Sequence, residues 1–352
     1  MEGKYIYGII DSCNEIPLNI TGLGGNTVYT MMERGVSCMV SDYSGGDFTS
    51  MAKEKIVRSL LKHQVVVEHV MKRNSVLPIK FGTVLATSDE VRNLLSLGHP
   101  KFVDVLAWIA DKVEVEVAAT WDLQKVLREI SNEDEIVRAK EAIASGSEQQ
   151  SLEQRIRLGK IVKASMDRRK DSYRERMIKF LKPLVVDIQP NVLISDEMVM
   201  NVAFLVEKDK QEQFDRQVRQ LNELFHDQIN FRIIGPLPPY SFAMVEVTKL
   251  SREEIDDAKQ LLHLSDYISE PDVRKAYRHL AAETHPDSKP GDELAKMQFA
   301  KIHHAADLLI AYCRGQAKRG ENLLINIRRQ RDEELQHLRP TEIVGVAGAT
   351  NG

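Results

Sequence analysis

The most restrictive feature of this chain is a repeated switch of hydrophobic period within its first 121 residues. "KYIYGII" (4–10) is β-branched and aromatic, as suits a strand. "TVYTMMERG" and "VSCMVSDY" lie on either side of Gly35 and predict a hairpin. From 51 to 73 the period becomes helical, with Ile56, Leu60, His63, Val67 and Val70 on one face. "SVLPIKFGTVLAT" restores strand character, and Pro78 marks an edge or irregular position. Ser88-Asp89-Glu90 open a second helix running to about Asp111. "VEVEVAATW" (113–121) then alternates apolar and acidic residues, as a half-buried strand does. The β-ββ-α-β-α-β order predicts an antiparallel α+β domain over 1–121, close to the ferredoxin-like pattern.

From Asp122 to about Leu184 the pattern is almost wholly helical, with a break near Ser145-Gly146-Ser147. A strand (198–209), a helix to about Ile229 and a strand pair around "FRIIGPLPPYSFAMVEV" (231–247) follow. This loosely repeats the first unit, so a second ferredoxin-like α+β domain is expected over 122–249, joined to the first by long helices. Near Leu250 the character changes again. Between Glu246 and Asp272 there are eight acids against three bases, and three helical segments follow. These predict an all-α domain over 250–314, then a helix and flexible tail over 315–352.

Composition narrows the function classes. Hydrophobic residues make up 43% and charged residues 28% of the 352 residues, ordinary values for a globular protein. A net charge of −4 argues against a bulk electrostatic grip on nucleic acid. Three scattered cysteines (Cys13, Cys38 and Cys313) suit neither a disulfide framework nor a zinc site. The opening "MEGKYIYGII" is not expected to act as a secretory signal, and no apolar run approaches the roughly 18 residues of a membrane span. The expectation is a cytoplasmic protein without nucleic-acid or membrane partners.

Several residues invite a chemical reading that their context does not support. Gly22, Gly24 and Gly25 in "TGLGGNT" suggest a phosphate-cradling loop, but no lysine follows at the required spacing, so a glycine turn is expected. His63 lies on an apolar helix face and is expected to be a core histidine with a local hydrogen bond. His303 and His304 are adjacent and point to different sides of a helix, poor geometry for a metal. The basic stretch Arg155–Lys182 carries eleven bases against three acids and reads as a solvated helix face or a dock for an acidic partner. No catalytic residue, metal ligand or cofactor site emerges.

The segment "RKAYRHLAAETHPDSKPGDE" (274–293) is more specific. Val273, Ala276, Tyr277, Leu280 and Ala281 form one apolar stripe, while Arg274, Lys275 and Arg278 project from the other side. Phe299, Ile302, Ala305 and Leu309 form a second stripe beyond the Pro290-Gly291 turn. Two antiparallel helices with a basic outer face would present His285-Pro286-Asp287 at the tip. With "FAKIHHAADLL", this resembles the J domain of Hsp70 co-chaperones over roughly 251–314. The resemblance implies that His285, Pro286, Asp287, Arg274, Lys275 and Arg278 engage Hsp70. Glu283 stands where a base is common in that family, Ala306 where an aromatic is, and "HLSDYISEPD" replaces the usual opening.

The larger body resembles the F/L family of gas vesicle accessory proteins over about 4–250. The resemblance rests on "YIYGII", the helix bearing His63, "LPIKFGT" (77–83) and "GPLPPYSFA" (235–243), in that order. Its signature residues here are Leu77, Pro78, Phe81, Gly82, Gly235, Pro236, Pro239, Tyr240 and Phe242. They read as structural: the glycines permit tight backbone positions, and Phe81, Tyr240 and Phe242 suit packing. The resemblance implies a non-enzymatic assembly factor at the gas vesicle. Its partners would be the hydrophobic shell protein and other accessory proteins, with Hsp70 added where the J-like domain is active. A general Hsp70 co-chaperone with unrelated clients is the rival reading.

Overall fold

The computed structural model describes residues 3–12, 17–144, 148–225, 228–284, 293–316 and 323–328. They fall into two units, Met1–Ala110 with Ala243–Gly352, and Asp111–Phe242.

The first unit is built on β1 (Gly3–Asp11), β2 (Pro17–Thr21), β3 (Thr27–Glu33), β4 (Val36–Tyr43), α1 (Lys53–Met71), β5 (Val76–Pro78), β6 (Val84–Leu85) and α2 (Ser88–Ile109). Its sheet runs β2-β3-β4-β1-β5, with β6 also pairing β1. The predicted hairpin is β3–β4. Its two-residue turn places Arg34 and Gly35 at φ 54° and 87°, the pair of positive values such a tight turn demands. Thr87 Oγ1 caps α2 by accepting from the Glu90 N–H at 3.1 Å. Successive strand residues point to opposite sheet faces. Ile6, Cys38, Val40 and Leu77 pack with Val91, Leu94 and Phe102 of α2, whereas Tyr5 and Tyr7 meet His63 of α1. The two helices therefore cover opposite faces. The predicted apolar face of α1 is buried only from His63 onwards, and Leu60 stays exposed.

The second unit comprises β7 (Lys112–Thr120), α3 (Leu123–Ile130), α4 (Asp134–Ala144), α5 (Glu148–Leu181), β8 (Asp187–Pro190), β9 (Met198–Glu207), α6 (Gln211–Leu224) and β10 (Asn230–Leu237). Its antiparallel sheet runs β10-β7-β9-β8. The strand expected to close the first domain thus lies at the heart of the second. It pairs with β9 from Lys112–Glu207 to Thr120–Met198, a partner about 85 residues away that alternation cannot identify. The expected break in the helical stretch falls between α4 and α5; Ser145, Gly146 and Ser147 themselves lie outside the described residues.

The basic stretch on α5 is not a uniformly solvated face. Arg169 reaches Glu129 of α3 at 2.8 Å and Glu133 at 3.1 Å. Lys170 is buried, its ammonium 5.5 Å from the centre of the Trp121 ring. Arg168 is exposed.

The strand pair expected around 231–247 separates. β10 joins β7, while β11 (Met244–Lys249) belongs to the first unit. Three helices follow: α7 (Arg252–Leu261), α8 (Glu270–Thr284) and α9 (Glu293–Gln316). Ser251 and Glu254 form a reciprocal capping box that starts α7. Val273, Ile302, Ala305, Ala306 and Leu309 form the core of this helical region. Within 315–352, where a helix and tail were expected, a strand β12 (Leu323–Arg328) pairs antiparallel with β11. The α+β class with a helical C-terminal region is as expected.

Candidate functional site

α8 places three of the predicted contact residues on one side. Val273 is fully buried, with Ala276, Tyr277 and Leu280 packed beside it, so the other side of α8 faces outwards. Arg274, Lys275 and Arg278 are exposed there. Their charge is partly answered in cis. Arg274 donates to Glu270 Oε1 from Nε at 3.0 Å and Nη2 at 2.7 Å, and Arg278 Nε donates to the Arg274 carbonyl at 3.3 Å. Glu283, the acid at odds with a basic face, approaches His279 Nδ1 at 3.5 Å. Ala306 is buried in the hairpin core. His285, Pro286 and Asp287 lie outside the described residues.

The two signature loops are structural joints, each in its own unit. Leu77 and Pro78 are buried in β5. Gly82 sits at φ 88°, where an L side chain is strained. Its N–H donates to Tyr5 Oη at 3.2 Å, and Tyr5 Oη lies 2.9 Å from His63 Nδ1. Phe81 joins a cluster of rings with Tyr5, Phe48 and His63 at centroid separations of 5.0 to 6.4 Å. His63 is thus the core histidine with a local hydrogen bond that its setting predicted. Burial holds its pKa down at about 4.

In the second loop Gly235 precedes a cis bond to Pro236 and has φ 149°. A side chain there would put its first carbon 3.0 Å from the Glu114 carbonyl oxygen. Pro239 and Phe242 are buried and Tyr240 half-buried. Tyr240 N–H donates to the Pro238 carbonyl at 2.7 Å and Phe242 N–H to that of Pro239 at 3.1 Å, which curls the loop. Glu114, which sequence reasoning missed, anchors that curl. Its carboxylate accepts from Ser241 N–H at 2.8 Å and Ser241 Oγ at 2.7 Å. It is 1% exposed, and burial raises its pKa to about 7 against the pull of those hydrogen bonds. In the sequence it is one acid of "VEVEV", indistinguishable from a solvent-facing neighbour.

Leu23–Gly25 form a short 3-10 turn preceded by Gly22, with Gly24 and Gly25 at φ 65° and 82°, as expected of a glycine turn. Among the described residues no group of acids, histidines and cysteines could hold a metal ion, and no helix is long and apolar enough to cross a membrane.

Fold and sites together describe an α+β body with loops built for shape, followed by a helical hairpin with an exposed basic face. The comparisons define the class. The gas vesicle synthesis protein GvpL/GvpF family matches residues 3–244, and the DnaJ domain matches 258–313. The chain belongs to the GvpL/GvpF family and carries a C-terminal DnaJ domain. Gas vesicle protein F of a Streptomyces species is 28% identical over 244 residues, covering 68% of this chain and 98% of that protein. Gas vesicle protein F of a Nostoc species is 24% identical over 246 residues, covering 69% and 98%. Two crystal structures share the fold over 68% of this chain and 98% of theirs. These are GvpF from Anabaena (TM-score 0.61, 23% identity) and from Microcystis aeruginosa (TM-score 0.58, 22% identity). The family and the DnaJ domain support an accessory role in the gas vesicle system.

Proposed function

We propose that this protein is a non-enzymatic, cytoplasmic assembly factor for gas vesicles. Its α+β units bind the hydrophobic shell protein or other vesicle accessory proteins, and its J-like module recruits an Hsp70. The observation that carries this reading is the union, in one chain, of a GvpL/GvpF match over 3–244 and a DnaJ match over 258–313. The chemistry agrees. A shell that excludes liquid water needs apolar subunits, which aggregate before assembly unless they are held. The Hsp70-facing residues in this reading are Arg274, Lys275 and Arg278, with His285, Pro286 and Asp287. Pull-down from vesicle-forming cells, read by mass spectrometry, is expected to recover shell or accessory proteins; recovery of only unrelated clients would favour the general co-chaperone instead. His285→Gln is expected to abolish stimulation of the host's Hsp70 ATPase without lowering the melting temperature. Arg278→Ala should weaken that stimulation and its salt sensitivity. A wild-type chain that stimulates no Hsp70 of its own cell would remove the recruitment role.

A further inference from the structure

β12 falls outside both matched regions, which end at residues 244 and 313. It is nevertheless part of the first unit's core. Its register with β11 is continuous, from Lys249–Leu323 to Met244–Arg328. Leu323 and Ile327 are 4% and 9% exposed and pack in the same cluster as Ala243 and Val245, with Ile325 against it. The intervening Leu324 packs on the other side, against the core of the helical hairpin, where Leu250 is also buried. β11 is in turn tied to the first sheet. Ile79 and Val245 form a parallel bridge, Lys80 N–H donates to the Val245 carbonyl at 2.8 Å, and Lys249 Nζ donates to the buried Glu90 carboxylate at 2.9 Å. The chain therefore leaves this edge at Lys249, forms α7, α8 and α9, and returns to the same edge at Leu323.

We infer that the β11 edge is a strand-docking site filled in cis by residues 323–328, and that this docked strand clasps the J-like module to the sheet of the first unit at both ends. An unpaired β11 would present a row of open backbone donors and acceptors, a template for any extended aliphatic segment. "LLINIR" fits that template, with Leu323, Ile325 and Ile327 sharing one face. The module is thus an insertion held in place rather than an appendage on a loose linker, and whatever binds it acts from a fixed position on the first unit. This does not depend on the module's recruiting an Hsp70. Loss of ATPase stimulation would leave the clasp standing, and loss of the clasp would leave stimulation to be measured separately.

The test is amide hydrogen exchange on the full chain carrying Leu323→Asp with Ile327→Asp. Exchange over 244–249 should accelerate at least about tenfold, because its protection comes from the docked strand, while the β3–β4 hairpin stays unchanged. A synthetic LLINIR peptide should restore that protection, whereas Asn326→Asp, at an exposed position, should leave the wild-type pattern. Should the double variant unfold, Leu323→Ala alone should give the same selective loss at 244–249. Wild-type exchange at 244–249 in the double variant, or a loss in Leu323→Ala no greater there than in β3–β4, would overturn the inference.

Discussion

Glu114 and His63 are buried titratable side chains whose contributions to stability run in opposite directions with pH. The Glu114 pKa stands at about 7 in the folded protein against an ordinary 4.5. The stability of its protonated form is complete below 4.5 and is lost as pH rises through 7. His63 stands at about 4 against 6.5, so its neutral form contributes fully above 6.5 and is lost as pH falls towards 4. Each shift corresponds to roughly 3 kcal/mol, and the two offset one another where their windows overlap, between 4.5 and 6.5. Glu114→Gln keeps the side chain's size and an acceptor for Ser241 while removing the buried charge. We expect this variant to melt a few degrees above wild type at pH 8 and level with it at pH 5. Calorimetry giving a pH-independent difference would contradict that account.

At the scale of elements, α5 shows why a charge count misleads. Arg168, Arg169 and Lys170 are consecutive, and successive helical positions face about 100° apart. One points to solvent, one bridges two glutamates, and one lies over Trp121. Arg168→Glu should leave the melting temperature within a degree. Arg169→Glu sets like charges against Glu129 and Glu133, and Lys170→Glu buries an acid where a cation sat, so each should cost on the order of 2 kcal/mol. Urea titrations placing all three variants at one midpoint would restore the solvated-face reading. α1 is a second case, since its apolar period includes Leu60, which is exposed.

For the whole molecule, a chain ending at Leu250 loses Leu323 and Ile327 from the first unit's core and leaves β11 open. It should remain folded but melt lower than the full chain and associate with rising concentration, as an open edge does. Sedimentation showing a monomer with the full chain's melting temperature would place the autonomous boundary at Leu250. Much of the architecture is local and was legible in the sequence. The β3–β4 hairpin follows from two β-rich runs around a glycine turn, α2 from its Ser88-Asp89-Glu90 start, and α8 from a stripe of apolar residues opposite a stripe of bases. The signature phrases likewise announced the family before any contact was known. Partnership is not local. A strand's period says that it pairs, not with what, so the placement of β7 beside β9 and of β12 beside β11 waited on burial shared across long stretches of chain. Glu114 belongs with them, since only the fold turns one acid of an alternating strand inward onto Ser241.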